Sequence, residues 1–275
     1  MDQVESALRP LVPADNESGK LIGMQDELST VEFLHGLGFV DDPTKPGFVF
    51  EKPGGARVTV DLTPEWNDGA FASGLIGYLM GRSPDAVARR DEPVWTRLDT
   101  PARTFLIAYN DYTEIDLPGA LSKMKAALDS GSANRVVLDM RYLRGGNGLL
   151  AQPLIEALKG DKRVNRPGGL TVLIGRENSS AGTIVAGALD RDTEATLIGE
   201  PTPARADNFL CDCVDIPIGD TRLVATVPTQ FLANGDPRDA VFPDIPFVLT
   251  AADFFAGRDP ALDLAKSGPA PTPSR

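Results

Sequence analysis

Two adjacent hydroxyls, those of Ser179 and Ser180, stand where a strand-like run gives way to a helix-like one, in the stretch RENSSAGTIVAGALD. A serine at a helix N-terminus lies near unpaired backbone N–H groups and the positive end of the helix dipole. That position suits a nucleophile on which negative charge develops. It equally suits a hydroxyl that only caps the helix. The two serines alone leave both interpretations open.

A second candidate element is the run Gly145-Gly146-Asn147 in the stretch DMRYLRGGNG. Because glycine has no Cβ, the backbone N–H groups of such a run can approach a ligand closely, as an oxyanion hole requires. A tight turn between a strand and a helix would use the same glycines. A dinucleotide site is not indicated, since no G-x-G-x-x-G pattern is present.

The order of elements from about residue 103 onward indicates how these stretches could meet. Four strand-like runs alternate with three helix-like runs: TFLIAYN, LPGALSKMKAALDSG, RVVLDMR, LLAQPLIEALKG, LTVLIG, AGTIVAGALD and ATLIGE. This alternation predicts an α/β fold with right-handed crossovers and a mainly parallel sheet. Ligands of such sheets bind beyond the carboxyl ends of the strands. The loops 139–148, 175–182 and 199–208 all fall there.

The remaining stretches are more weakly patterned. DELSTVEFLHGLGFV predicts one helix ended by Gly36 and Gly38, and GFVFEKPGGARVTVDLT predicts a β-hairpin. A second hairpin is predicted across Gly219-Asp220, between FLCDCVDIPIG and TRLVATVPTQ. The predicted organisation is an accessory α+β segment at 1–95, which includes a connecting stretch at 65–95, a core at 96–265 and a disordered tail at 266–275.

Composition excludes several classes of function. The chain has 275 residues and a formal net charge of −12, which argues against a nucleic-acid partner. No apolar run reaches membrane-spanning length, and the first twenty residues lack a signal-peptide pattern, so the compartment stays open. Cys211 and Cys213 are too few to complete a zinc shell. We therefore expect them to be small structural residues, and we predict no metal and no cofactor.

Taken together, the three loops resemble the tail-specific (C-terminal processing) serine peptidase family, the S41 type, with its tricorn-core and retinoid-binding-protein branches. The resemblance runs from about Phe105 to Asp263. It rests on four motifs in order: VVLDMRYLRGGNG, LTVLIGRENSSAG, ATLIGEPT and FPDIPFVLT. It implies a ClpP/crotonase-like β-α superhelix and a peptide or protein substrate that adds as a strand beside the site.

Position by position, the resemblance places the family nucleophile on Ser180, with Ser179 as its neighbour. The oxyanion donors fall on the backbone N–H groups of Ala181 and of Gly145 or Gly146. The implied reaction is attack on a peptide carbonyl, formation of an acyl-enzyme and its hydrolysis.

The general base is where this sequence departs from the family. In the branch with a Ser-Lys dyad, a lysine follows the Gly-Glu-x-Thr turn, but here the residue is Arg205, which keeps its proton. In the histidine branch the base comes from an N-terminal helical region. Here the single histidine is His35, whose alternative is a surface or capping role. We hypothesise that this chain lacks the family's histidine-bearing region.

The carboxylate partner of the histidine branch falls near the Pro-Asp-Ile element, on Asp239, with Asp236 close by. Both aspartates could equally be exposed loop acids in so acidic a chain. Asp139 and Arg141 are predicted to form a buried structural pair. Three functions stay open: a serine peptidase-like hydrolase, an inactive homologue that binds a peptide or an apolar ligand in the same cleft, and acyl-thioester chemistry suggested by fold analogy. The sequence does not indicate the oligomeric state.

Overall fold

The computed structural model describes residues 2–52, 54–64, 83–113, 116–233 and 235–269, and the chain divides into two compact units, residues 1–79 and 80–275. The finer bounds expected from the sequence (1–95, 96–265 and 266–275) stay a prediction.

The first unit contains three helices, α1 Asp2–Leu8, α2 Glu17–Leu28 and α3 Val31–Gly36, and two strands, β1 Gly47–Glu51 and β2 Arg57–Asp61. Its small core holds Leu8, Val12 and Met24.

The single helix predicted over DELSTVEFLHGLGFV is wrong, because α2 and α3 are separate. Thr30 has extended backbone (φ −96°, ψ 101°) at the start of α3. Serine and threonine favour helix starts over helix interiors, so Ser29-Thr30 divides a run whose apolar spacing is otherwise continuous.

The first predicted hairpin is confirmed. β1 and β2 pair antiparallel with Phe48 opposite Val60 and Phe50 opposite Val58. Gly54 and Gly55 have φ of +100° and +85°, which other residues adopt only with strain. Pro53, the first residue of the predicted turn, lies outside the described residues.

The second unit carries the sheet. Its elements are α4 Asp85–Ala88, β3 Val94–Asp99, β4 Thr104–Tyr109, α5 Leu117–Asp129, β5 Arg135–Asp139, a 3-10 turn Gly148–Ala151, α6 Gln152–Gly160, β6 Leu170–Ile174, α7 Ala181–Asp192, β7 Thr196–Gly199, β8 Asn208–Pro217, β9 Val224–Leu232, β10 Ile245–Pro246, α8 Ala251–Phe255 and α9 Pro260–Lys266.

Six strands form one sheet in the order β10-β7-β6-β5-β4-β3. The ladder from β4 through β5, β6 and β7 to β10 is parallel, and β3 pairs antiparallel with β4 at the edge. The predicted mixed α/β fold with a mainly parallel sheet is confirmed. The sequence analysis missed β3, because VWTRLD is an edge strand with polar positions that begins at the end of the predicted connecting stretch.

Both faces of the sheet are covered. Ile107, Leu138 and Val172 pack with the apolar sides of α5, α6 and α7. Their chain neighbours, such as Val137 and Leu173, pack on the other face against α9. Since successive residues of a strand point to opposite faces, strands buried on both sides appear as continuous apolar runs. That is the reason the sequence predicted β4 to β7.

The predicted hairpin across Gly219-Asp220 is also confirmed, as β8 paired with β9. Cys213 on β8 is half-buried and disulfide-bonded, a pairing that the sequence analysis did not predict. Near the carboxyl end, the Thr196 hydroxyl donates to the Pro269 carbonyl oxygen at 2.9 Å. Residues 270–275 of the predicted tail lie outside the described part. No helix in the described part is both long and apolar enough to cross a bilayer.

Candidate functional site

The three predicted loops lie at one edge of the sheet. Because β5, β6 and β7 are parallel neighbours, their carboxyl ends stand side by side, and each loop leaves from one of them. Residues about 35 positions apart in sequence are thereby brought together. The sheet thus places the run Gly145-Gly146 next to the segment 175–180.

Ser180 has an unusual backbone conformation, with φ 51° and ψ −123° directly before α7. Among the described non-glycine residues, only Arg103 also has a positive φ. Such conformations cost about 1–3 kcal/mol and are found most often at functional sites. The Ser180 side chain is exposed and makes no capping hydrogen bond, whereas Ser179 is half-buried. The Ser180 hydroxyl is therefore not a helix cap.

Asn178 connects the two loops from inside. It is fully buried, and its Oδ1 accepts from the Gly175 N–H at 2.7 Å. Its Nδ2 donates to the carbonyl oxygen of Leu143 at 3.0 Å and also to that of Met140. The Thr183 hydroxyl donates to the Asn178 carbonyl oxygen. The sequence analysis missed this residue, although an asparagine in a turn after a buried strand is a signal for local hydrogen bonding.

The glycine run lies directly against Ser180. A Cβ on Gly145 would stand 3.0 Å from Ser180 Cβ and 3.3 Å from its Oγ, and one on Gly146 would stand 2.7 Å from the Tyr112 ring. The Gly182 N–H donates to the Arg144 carbonyl oxygen at 2.8 Å, which joins the start of α7 to the same run. A side chain at Gly146 would collide with the Tyr112 ring, and one at Gly145 would crowd Ser180.

The backbone N–H groups of this region have no acceptor. Within the described residues, the N–H groups of Gly145, Gly146 and Ala181 donate no hydrogen bond. Unpaired donors at a helix start can stabilise an oxyanion. The structure brings Ser180, Ala181, Gly145 and Gly146 together as one group.

A polar cleft of about 300 Å³ opens beside Gly145. It is lined by Arg90, Asp91, Asn110, Asp111, Tyr142, Arg144, Gly145 and Glu177. The Arg144 guanidinium pairs with the Glu177 carboxylate, with an Nε–Oε2 distance of 3.0 Å.

Two groups of the cleft have displaced pKa values. The Thr113 N–H, with the Thr113 hydroxyl, lowers the pKa of the Asp111 carboxyl. Burial raises the pKa of the Tyr142 phenol to about 12. At neutral pH the Asp111 carboxylate is therefore ionised and Tyr142 is protonated, so Tyr142 is not a base under these conditions.

The residues predicted as base and carboxylate, His35 and Asp239, are both exposed. His35 lies on α3 in the first unit, exposed, with Nδ1 donating to the Val40 carbonyl oxygen at 2.7 Å. Asp239 is exposed in the loop between β9 and β10, directly before the buried Ala240. Arg205 is exposed in the loop after β7. The roles of His35 and Asp239 stay predictions.

The Asp236 carboxylate is held in an ion pair with Arg238. Arg238 donates to Asp236 at 2.6 Å and to Asp190 on α7 at 2.7 Å. The Arg238 guanidinium holds the pKa of the Asp236 carboxyl below its ordinary value.

The predicted structural pair of Asp139 and Arg141 is confirmed, with an Arg141 Nη2–Asp139 Oδ2 distance of 2.6 Å. Arg141 also pairs with Asp259 at 2.6 Å, a partner the sequence analysis missed. In the described residues no group of three or more histidine, cysteine or acidic side chains is arranged to hold a metal ion.

Neither a protein-family model nor a curated protein matches the sequence. Similar solved structures include a candidate peptidase from Parabacteroides merdae, at 13% identity and a TM-score of 0.48, covering 96% of this chain and 87% of that chain. A candidate S41 protease from Bacteroides fragilis follows at 14% identity and 0.38, covering 74% and 58%. The photosystem II D1 C-terminal processing protease shows 16% identity and 0.41, covering 85% and 62%.

This chain therefore spans less than two thirds of the last two proteins. All three are peptidases or proteases by name. Because the identities are this low and each TM-score is below 0.5, we infer function from the site residues themselves.

Proposed function

We propose that this protein is a serine peptidase-like hydrolase that cleaves peptide bonds through an acyl-enzyme on Ser180. The observation that supports it is the backbone of Ser180, which holds an exposed, uncapped hydroxyl in a strained conformation against the glycine run. A serine that only capped the helix would have no reason to adopt a strained backbone with φ 51°. We also propose that the chain is a member of the tail-specific family and has its ClpP/crotonase-like superhelix. The strand–helix succession from β4 to β7 supports this.

In this proposal the Ser180 Oγ attacks the carbonyl carbon of the scissile peptide bond. The oxyanion that forms accepts hydrogen bonds from the N–H of Ala181 and of Gly145 or Gly146, near the positive end of α7. Collapse of this intermediate releases the amine, which takes up a proton, and leaves an ester on Ser180. Water then attacks the ester and releases the carboxylic acid.

The proton of Ser180 requires an acceptor. We propose His35 for this role, with Asp239 as its carboxylate partner, because His35 is the single histidine of the chain. Its Nδ1–H donates to Val40, so the lone pair that can accept a proton is on Nε2. Arg205 is excluded as the base because a guanidinium keeps its proton.

One observation favours a second candidate, an inactive homologue that binds a peptide or an apolar ligand in the same cleft. Arg205 stands where the lysine-dyad branch of the family has its base. A cleft with unpaired backbone donors beside an unactivated serine would still bind a peptide carbonyl without cleaving it.

The test is to treat the full chain with a fluorophosphonate probe from about pH 6 to about pH 9 and to map the adduct by mass spectrometry. We expect labelling of Ser180 that disappears in Ser180→Ala. Ser179→Ala, which removes the adjacent hydroxyl, is the matched control and should label like the unmodified chain. Loss of labelling in His35→Gln, with retained folding, is the expected sign of the base.

A folded chain that stays unlabelled over the whole pH range would favour the inactive homologue. Labelling that persists in Ser180→Ala would show that another residue is the nucleophile. Turnover of an acyl thioester that is unchanged in Ser180→Ala would point to the acyl-thioester alternative.

A further inference from the structure

The cleft beside Gly145 lies next to the position of the scissile bond in the proposed reaction. A peptide carbonyl that accepts from the N–H of Gly145 or Gly146 brings the side chain of the same substrate residue to this glycine run. Gly145 lines the cleft, whose volume of about 300 Å³ is at the lower end for ligand pockets. The cleft therefore has room for one long side chain of a substrate.

Asn110, directly after β4, presents a hydrogen-bond acceptor to the cleft. Its side chain is only 7% exposed, and its Nδ2 donates to the carbonyl oxygens of Arg89 at 3.2 Å and Glu92 at 2.9 Å. Because carbonyl oxygens only accept, these two bonds fix which end of the amide is the nitrogen. The other end, Oδ1, accepts no hydrogen bond from any described residue, although Asn110 lines the cleft. A buried side chain thus leaves one acceptor unused at the cleft wall.

Asp111, the next residue, adds a carboxylate that has no cation of its own. It is ionised at neutral pH, and its Oδ1 accepts from the Thr113 N–H at 2.8 Å and from the Thr113 hydroxyl at 3.0 Å. In the part of the chain that the structure describes, no lysine or arginine forms an ion pair with Asp111. Two neighbouring acceptors at the wall, one neutral and one anionic, can therefore take a donor from a ligand.

The cleft also contains two arginines, and each has a carboxylate beside it. Arg144 Nε donates to Glu177 at 3.0 Å, and Arg90 Nε stands 3.9 Å from Asp91. All four of these side chains line the cleft together with Asp111. Once each guanidinium is set against its neighbouring carboxylate, Asp111 leaves the described lining with one negative charge in excess. The charge of the cleft as a whole therefore favours a cationic ligand over an anionic one.

We propose, on the basis of the proposed function above, that the cleft binds a lysine or arginine side chain of the substrate residue whose carbonyl is attacked. The N–H groups of this side chain donate to Asn110 Oδ1 and to the Asp111 carboxylate. A cation that only donates satisfies both acceptors. An acidic side chain would bring a second anion against Asp111, and an apolar one would cover both acceptors without pairing them. The net charge of −12 also attracts cationic peptides from a distance.

The experiment compares three peptidyl diphenyl phosphonates that differ only at the residue next to phosphorus, which is lysine, norleucine or glutamate. In the labelling step the Ser180 Oγ forms a bond to phosphorus, and a phenol leaves with the proton that Ser180 gives up. Norleucine is the matched comparison, because it has the carbon chain of lysine without the ammonium. We expect the lysine probe to label Ser180 at least about tenfold faster than the norleucine probe, and the glutamate probe to be the slowest.

Variants of Asp111 test the recognising group. Asp111→Asn keeps the Oδ1 acceptor for Thr113 but removes the charge, so the ratio of lysine to norleucine labelling rates should fall about tenfold. Asp111→Arg should make the glutamate probe faster than the lysine probe. Asp263→Asn is the matched control for net charge, because Asp263 lies outside the cleft with a side chain that is 73% exposed, and it should keep the ratio. A ratio measured on one sample does not depend on the fraction of folded chain.

The fluorophosphonate probe, which carries no amino-acid side chain, separates this proposal from the function on which it rests. If that probe labels Ser180 but the lysine and norleucine probes react at equal rates, the proposed binding of a cationic side chain is overturned and the hydrolase is not. A glutamate probe that reacts faster than the lysine probe also overturns it and assigns recognition to Arg90. An unchanged ratio in Asp111→Asn overturns it as well. A folded chain that the fluorophosphonate leaves unlabelled overturns both proposals together.

Discussion

At the scale of single residues, the backbone of Ser180 determines what its side chain can do. With φ 51° and ψ −123°, the residue stands at the start of α7 but its hydroxyl makes no capping hydrogen bond. The sequence selects Ser180 over Ser179 through the resemblance, but the conformation itself could not be predicted. A positive φ is typical of glycine or asparagine, and a serine gives no such signal.

Replacing Ser180 with glycine should stabilise the fold relative to replacing it with alanine. Both changes remove the hydroxyl, but only glycine adopts this φ without strain. After the entropy cost of glycine is subtracted, Ser180→Gly should exceed Ser180→Ala in free energy of unfolding by about 1 kcal/mol. Urea unfolding curves with equal slopes would measure the difference. Equal stabilities, or a more stable alanine variant, would show that the position carries no strain.

At the scale of elements, the site depends on two loops being held together, and Asn178 holds them. Its side chain satisfies one N–H of its own loop and two carbonyl oxygens of the loop after β5. No ionic group takes part, so this connection should be insensitive to salt. The position of the glycine run relative to Ser180 therefore depends on a neutral, fully buried amide.

Asn178→Ala should reduce the free energy of unfolding by about 3 kcal/mol, since the Gly175 N–H and the Leu143 carbonyl oxygen lose their partner and the Met140 carbonyl oxygen loses one of two. Asn147→Ala is the matched control. Asn147 is exposed, and its side chain accepts one hydrogen bond, from the Leu149 N–H at 3.1 Å, so a loss below about 1 kcal/mol is expected. Chemical unfolding of both variants is the measurement. Similar losses for the two would contradict the role given to Asn178.

The elements also show what the sequence could predict. The strands β4 to β7 and the helices between them follow from continuous apolar runs and 3.6-residue spacing, and with them the edge where the loops meet. β3 and the partnership of Arg141 with Asp259 could not be predicted. An edge strand lacks the apolar run, and a pair separated by 118 positions depends on tertiary contact alone. The break between α2 and α3 was missed because apolar periodicity outweighed the capping preference of Ser29-Thr30.

At the scale of the whole molecule, the net charge is −12. Part of the excess negative charge is neutralised by arginines that each form ion pairs with two carboxylates. Arg141 joins Asp139 to Asp259, and Arg238 joins Asp236 to Asp190. Both arginines connect residues far apart in the chain. Stability should consequently fall when the carboxylates are protonated.

The ion pair of Asp236 should make the free energy of unfolding depend on pH. Arg238 holds the pKa of Asp236 below its ordinary value of 3.8, so the stabilisation is fully present above that value and is lost as pH falls through the lower, folded-state pKa. In Asp236→Asn the free energy of unfolding should be about 1 kcal/mol lower at neutral pH and should fall less steeply below about pH 4. Urea unfolding at several pH values is the measurement.

Asp91→Asn serves as the control for Asp236→Asn. The Asp91 side chain is 88% exposed and stands 3.9 Å from Arg90, so its exchange should leave stability within about 0.5 kcal/mol of the unmodified chain. If Asp236→Asn and the unmodified chain fall in parallel with pH, the ion pair with Arg238 does not contribute.

The parallel ladder from β5 to β7 has a consequence for the order of folding. Parallel strands cannot be joined by a short turn, so each addition requires a helix to form and the chain to return over the sheet. The Gly145-Gly146 run follows β5 and Ser180 follows β6, so the two meet only after β6 has paired with β5, a contact between residues 34 positions apart such as Val136 and Leu170. During refolding, competence for labelling at Ser180 should appear with the kinetic phase that forms the parallel sheet and not with the early formation of helices. The time course of Ser180 labelling would thus report when the sheet is completed.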